Sequence, residues 1–199
     1  EVGGGAAARA RTALADVGRD AAVAWRELEH DASLRDRVRG AGHLPPAEAD
    51  RLGAVGPAAR ASGVPGDVRT ASPRLAYPGF RAAAPSAPEG DVAARMEVRA
   101  VELADSLAMV DELLTAPVTP AGAAARAPGA ARGVGRVESP RGRTVCAVEL
   151  AGEAVRGVHL RTGSYANWPS VARAARGAIL PDFPLINKSF ELCYACVDR

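Results

Sequence analysis

The chain closes on Glu191-Leu192-Cys193-Tyr194-Ala195-Cys196-Val197-Asp198-Arg199. Two cysteines three residues apart turn both sulfurs toward one point, because positions i and i+3 share a face of a helical turn. As thiolates they are soft ligands, suited to nickel, zinc, iron–sulfur clusters or copper(I) and poorly suited to magnesium or calcium. Taken alone, the pair reads equally well as a thiol redox motif or as half of a zinc site. Its company is more informative. Upstream stand Val137-Glu138-Ser139-Pro140-Arg141-Gly142, then Arg161-Thr162-Gly163-Ser164-Tyr165-Ala166-Asn167-Trp168-Pro169, then Pro184-Leu185-Ile186-Asn187.

In that order and at that spacing, these segments resemble the C-terminal half of a [NiFe]-hydrogenase large subunit. The resemblance is to the membrane-associated, energy-converting type (formate hydrogenlyase is one) that is related to the 49 kDa subunit of respiratory complex I. A second block is similar to the same family: Gly56-Pro57-Ala58-Ala59-Arg60-Ala61-Ser62-Gly63, Asp67-Val68-Arg69, and Gly90-Asp91 with Arg95. The resemblance implies a mainly α fold with a small antiparallel β region, built on the helical-bundle core of that subunit and incomplete at its N-terminus. It further implies a nickel–iron centre with CO and cyanide on the iron, Cys193 terminal on nickel and Cys196 bridging the two metals. Pro140 and Arg141 would lie against the iron, with Arg141 polarising H2, and Glu191 would bring a carboxylate near the metals. The partners implied are an iron–sulfur small subunit, which takes the electrons through its cluster, and membrane subunits that hold the assembly on the cytoplasmic face. A complex I 49 kDa-type subunit, shaping a quinone site in an NADH:quinone oxidoreductase without hydrogen chemistry, is the second reading. A non-catalytic fragment is the third.

The sequence departs from the family pattern at several positions. Glu191-Leu192 stand where the family carries Asp-Pro, Gly163 replaces a proline, and Ser139 replaces a common alanine. The family's other Cys-x-x-Cys has no counterpart, so this chain offers two of four thiolates. A rival grouping of Cys146, His159, Cys193 and Cys196 would make a Cys3His zinc site, although the spacing matches no known finger.

Composition narrows the field. At 199 residues and 48% hydrophobic, the chain is long and apolar enough for a real core. A net charge of only +2, with basic residues scattered, argues against nucleic acid as a partner. No apolar run approaches the roughly eighteen residues of a membrane span. Three cysteines, an odd number, suit a reducing compartment better than a disulfide framework. Glu1 is not a methionine, and the N-terminus proper is expected upstream.

The pattern along the chain predicts one domain with a helical segment over 1–62, an irregular loop over 63–90, a long helix over 91–115, a β-hairpin region over 134–162, and a helix with the metal-binding C-terminus over 163–199. Leu14, Val17, Ala21, Trp25 and Leu28 make an apolar stripe with Trp25 as a core anchor. Ser33 and Asp36 resemble a capping box, and Pro45-Pro46 opens a short helix ending at Leu52-Gly53. Gly90-Asp91 opens the long helix, whose stripe is Val92, Met96, Leu103, Leu107, Val110 and Leu114, with Pro117 and Pro120 stopping it. The two stripes are expected to face each other or a shared core, and Glu97, Glu102, Asp105 and Asp111 to form a solvated face. Ala121 to Arg136 reads as a surface loop. Thr144 to Leu150 and Val155 to Arg161 read as the two strands of a hairpin, with Cys146 a small buried hydrophobe. Asn167 is expected to cap a helix ending at Arg176-Gly177. His30 and His43 are expected at the surface.

Overall fold

Helices form wherever Ala, Arg, Leu and Glu dominate the sequence, residues that lose little side-chain freedom in a helix. The computed structural model describes residues 4–72, 88–115 and 132–197. In chain order it contains α1 (Gly4–His30), α2 (Ala32–Val38), α3 (Pro46–Arg51), α4 (Gly56–Ala61), α5 (Val68–Ala71) and α6 (Val92–Thr115). An antiparallel sheet follows, β1 (Arg132–Ser139), β2 (Gly142–Ala151) and β3 (Ala154–Arg161), in the order β1-β2-β3. The chain ends with α7 (Gly163–Ala174), a 3-10 turn (Leu180–Asp182) and α8 (Phe183–Phe190). The mainly α architecture with a small antiparallel sheet is as expected. The stopping prolines Pro117 and Pro120, and most of the Ala/Gly/Arg loop, lie outside the described residues.

The core gathers Val38, Leu44, Ala49, Ala58 and Val92 with Val171, Ala174, Ile186, Phe190 and Leu192. With few aromatics available, α6 approaches α4 and α8 through small residues and one arginine. Arg95 is fully buried, its guanidinium 4.2 Å from the centre of the Phe190 ring. It donates to the Ser189 hydroxyl at 2.8 Å and to the carbonyls of Gly90 and Gly42 at 2.7 and 3.0 Å. Burial pulls its pKa down to about 9, still well above neutrality, so the charge persists. Asp91 starts α6 as the sequence predicts, accepting from the Ala94 amide at 2.8 Å and reaching the Gly40 amide at 2.7 Å.

The long helices do pack on each other, but at the surface. Arg11 on α1 pairs with Asp111 on α6 at 2.7 Å, and a Cβ added to Gly18 would meet the Leu107 side chain at 3.6 Å. No residue of α1 is buried; Trp25 is half-buried, and Val17 and Leu28 are largely exposed, so the core-anchor reading of Trp25 is corrected. On α6 the buried side chains are Val92, Ala94, Arg95 and Val98, whereas Leu103 and Val110 are exposed. The helix buries its first turns, and Leu107 farther along its stripe lies against α1. Leu107→Ala is therefore expected to destabilise by only about 1–2 kcal/mol, below the range for a fully buried leucine, measured as a shift in urea midpoint.

Other expectations are corrected locally. Asp31, not Ser33, caps α2, accepting from the Leu34 amide at 3.0 Å. The hairpin is a three-stranded sheet: β1 begins at Arg132, inside the stretch read as loop, and runs in unbroken register against β2 from Arg132↔Glu149 to Ser139↔Gly142. Cys146 is half-buried in the central strand rather than buried. α7 starts at Gly163, capped by the Thr162 hydroxyl, which accepts from the Tyr165 amide at 3.1 Å. Asn167 lies inside that helix.

Candidate functional site

Pro140 and Arg141 occupy the two-residue turn between β1 and β2. Ser139 secures the turn, its hydroxyl donating to the Gly142 carbonyl at 2.6 Å and lying 2.8 Å from the Thr144 hydroxyl. The turn is clasped between two helix starts. A Cβ on Gly56, which sits at φ +66°, would fall 2.3 Å from the Gly142 Cα, and one on Gly163 would fall 2.6 Å from the Arg141 carbonyl oxygen. Only glycine allows backbones this close. Asn167, buried in α7, completes the clasp. Its Oδ1 accepts from the Val55 amide at 2.9 Å, and its Nδ2 donates to the carbonyls of Val55 and Arg141 at 3.0 and 3.1 Å. The Arg141 backbone is thus tied to both α4 and α7.

The C-terminal segment is brought to the same place. Arg99 on α6 donates to the carbonyls of Ser189 and Phe190 at 3.4 and 2.9 Å, satisfying orphan acceptors at the end of α8. Glu191 then turns the chain in the left-handed conformation, φ 53°, a strained choice for a non-glycine residue. Leu192 drops into the core. The Cys193 amide donates to the buried Ser164 hydroxyl at 3.0 Å. Tyr194 packs against Trp168, ring centres 5.1 Å apart, and receives a 2.7 Å bond from Asn187 Nδ2 at its hydroxyl.

Arg141, Glu191, Cys193 and Cys196 are therefore neighbours, although Arg141 and Glu191 stand fifty positions apart. Arg141 Nε donates to the Glu191 carbonyl. The two cysteine side chains interact with each other. The interaction with Cys196, helped by the backbone amides of Cys196 and Ala195 and by the Arg141 charge, holds the Cys193 thiol below its ordinary pKa. The same interaction pushes Cys196 up, burial adding to it, while Arg141 opposes the rise. A thiol whose pKa is lowered beside a cation is more readily captured by a soft metal. The Glu191 carboxylate faces Arg99 at 3.7 Å and Lys188 at 3.8 Å. The pair fits half of a thiolate-rich metal site.

The zinc alternative is corrected. Cys146 is opposite Leu160 and Ala147 opposite His159, so Cys146 and His159 lie on opposite faces of the sheet. Among the described residues no three His, Cys, Asp or Glu side chains group to hold a metal.

Beside the turn lies a buried ionic cluster that sequence reading took for a solvated face and a helix end. Arg60, 4% exposed, meets Asp67 at 3.2 Å, Glu138 at 3.3 Å and Glu102, whose carboxylate accepts from Nε at 2.7 Å. Arg69 grips Asp67 at 2.7 Å and approaches Glu102 at 3.9 Å. Burial pushes the Asp67 carboxyl up, but the Arg69 guanidinium and amide, with Arg60, hold it below its usual value overall. Glu138 goes the other way: burial, with the Asp67 charge adding, raises it against the Val68 amide and Arg60. The roles of Asn167, quoted as a helix cap, of Ser164, quoted only within a motif, and of Arg99 were missed by sequence reading. No local pattern distinguishes them, because each acts on an element distant in the chain.

The chain is similar to known proteins over most of its length. The family described as the 49 kDa subunit of respiratory-chain NADH dehydrogenase matches over residues 4–128 and 121–199. A carbon monoxide-induced hydrogenase of Rhodospirillum rubrum is 32% identical over 170 residues, covering 84% of this chain and 47% of that protein. An NADH-quinone oxidoreductase subunit of Opitutus terrae is 34% identical over 185 residues, covering 88% of this chain and 46% of its own length. A chain of the membrane-bound sulfane sulfur reductase, an archaeal respiratory membrane complex, superposes with a TM-score of 0.85 at 27% identity, over 99% of this chain and 56% of its own. These are oxidoreductase subunits. The chain belongs to the family of the 49 kDa subunit of respiratory-chain NADH dehydrogenase, and its relatives include a hydrogenase as well as an NADH-quinone oxidoreductase subunit. It spans about half the length of the curated relatives it matches.

Proposed function

We propose that this chain is part of the large catalytic subunit of an energy-converting [NiFe]-hydrogenase, interconverting H2 with protons and electrons. The observation that carries the reading is the Cys193–Cys196 pair beside a backbone-anchored Arg141. Cys193 and Cys196 would hold the nickel–iron group, their two further thiolates coming from outside this chain. Bound there, the group supplies soft-metal binding of H2 and a place for two electrons. Arg141 contributes a planar cation, aimed by the turn, to polarise the bound molecule. Pro140 pre-sets the turn backbone. Glu191 offers a carboxylate held by Arg99 and Lys188 at the rim.

Electrons would leave to an iron–sulfur small subunit, and membrane subunits would hold the assembly on the cytoplasmic face. No helix among the described residues is long and apolar enough to cross a membrane, so attachment runs through partners in this reading. A quinone-type role has one observation in its favour. Leu192, where the hydrogenases carry proline, is a core residue here. That packing keeps the turn in place without requiring metal.

The test is the full-length subunit purified in its complex. Nickel, the infrared bands of iron-bound CO and cyanide, and H2-dependent dye reduction are the expected result. A complex that is free of nickel and reduces quinone with NADH selects the second reading. The isolated chain, with half of the thiolates, is expected to hold no stoichiometric nickel.

A further inference from the structure

We propose that the Glu138 carboxylate is a proton-transfer residue linking two cavities, one beneath Glu191 and the other among α3, α4 and α5. The inference rests on the hydrogenase reading for the source of its protons. The first cavity, about 440 Å³, is bounded by Pro140, Glu191 and Arg99 on one side and by Arg69, Glu102 and Glu138 on the other. The second, about 290 Å³, is lined by Asp50, Asp67, Arg136 and Arg143 among others, and again by Glu138. Among the described residues Glu138 alone is common to both linings, and its side chain is 3% exposed. Both cavities are roomy enough for several waters.

Charge around Glu138 favours a group that alternates between protonated and ionised. Three carboxylates, Asp67, Glu102 and Glu138, share two guanidinia, Arg60 and Arg69. Asp67 is held ionised by the Arg69 fork, and Glu102 takes the Arg60 Nε. Glu138 keeps the weakest claim, a 3.3 Å contact with Arg60 and a 3.2 Å bond from the Val68 amide. Burial, with the Asp67 charge adding, raises its pKa, which together with its place on both cavities marks it as the member to carry a proton. Arg136 and Arg143 stand on the second cavity, and Arg99 faces the first. In each transfer Glu138 takes one proton from one cavity and releases one into the other. No electron moves through it, and the guanidinia keep their protons. The two protons from each H2 cross one at a time, while the electrons leave by the iron–sulfur partner.

Two measurements test this. In the chain itself, infrared titration should show a carboxyl that protonates above the ordinary glutamate range and is missing from Glu138→Gln. In the nickel-loaded complex, Glu138→Gln should lower turnover about 10²–10⁴-fold with nickel content unchanged, and Glu138→Asp should restore most of it with a shifted pH optimum. A purely structural glutamate would lower the melting temperature and leave the pH profile alone. An absent infrared band, or an unchanged turnover and pH profile in Glu138→Gln, overturns the proposal. Should Glu138→Gln lose its metals, Glu138→Asp decides: an unshifted optimum with nickel retained overturns the relay. A wild-type complex without nickel overturns the hydrogenase reading and this relay with it, an outcome that the infrared titration of the chain separates from a failure at Glu138.

Discussion

Arg141→Lys in the full-length subunit is expected to lower hydrogen turnover by about 10²–10³-fold, the loss typical of one pre-organised electrostatic contact, with nickel still bound. Lysine keeps the charge but replaces a planar cation with a flexible, strongly hydrated ammonium. Arginine at this position is held in two ways. Asn167 fixes its carbonyl, and its Nε donates to the Glu191 carbonyl. Lysine keeps the first contact and loses the geometry of the second. Cys193→Ser and Cys196→Ser are expected to act differently, removing nickel altogether because a hard hydroxyl replaces a soft thiolate. Hydrogen uptake and metal content, measured on all three variants, separate the roles. Full activity in Arg141→Lys removes the polarising role, and nickel retained in both serine variants removes the ligand assignment.

Arg60→Met is expected to destabilise the chain by about 3–5 kcal/mol at neutral pH, as when one partner of a buried ion pair is removed. Methionine matches much of the volume, so the loss reports charge rather than a cavity. Without Arg60, Arg69 is the cation left in contact with Asp67 and Glu102 among the described residues. The pH dependence has a definite sign. Asp67 is held below its ordinary pKa when folded, so its contribution is present above the unfolded value, about 3.9, and fades as pH falls through the folded one. Glu138 is raised, so its contribution is full below its unfolded value, about 4.3, and is lost as pH rises through the folded one. Since protonation relieves carboxylate repulsion, the Arg60→Met penalty should shrink between pH 7 and pH 5. Urea midpoints at the two pH values measure it, and an equal penalty at both would locate the effect in packing instead.

Helix content was legible because it rests on local signals. The periodicity of Val92 to Leu114, the prolines at α3 and α4, and Asp91 at the start of α6 act within a few residues. The Cys193–Cys196 pair and the Pro140-Arg141 turn were legible too, since spacing and composition suffice to mark them. β1 was not. Arg132-Gly133-Val134-Gly135 reads as loop, and only eight residue pairs against β2 make it a strand. Pairing of this kind is a non-local gain that composition does not record.

The amino-acid sequence by itself determined the helical class, the soft-donor pair and the family, because each is written in short motifs and their order. The tertiary structure decided which polar residues are buried and what they face. It drew Asn167 inside α7 to hold Arg141, placed Arg95 under Phe190, and gathered Arg60, Asp67, Glu102 and Glu138 into one cluster. The physical reason is that a buried charge survives only with partners. For Arg60 those partners lie 7, 42 and 78 positions away along the chain, at separations no local pattern encodes.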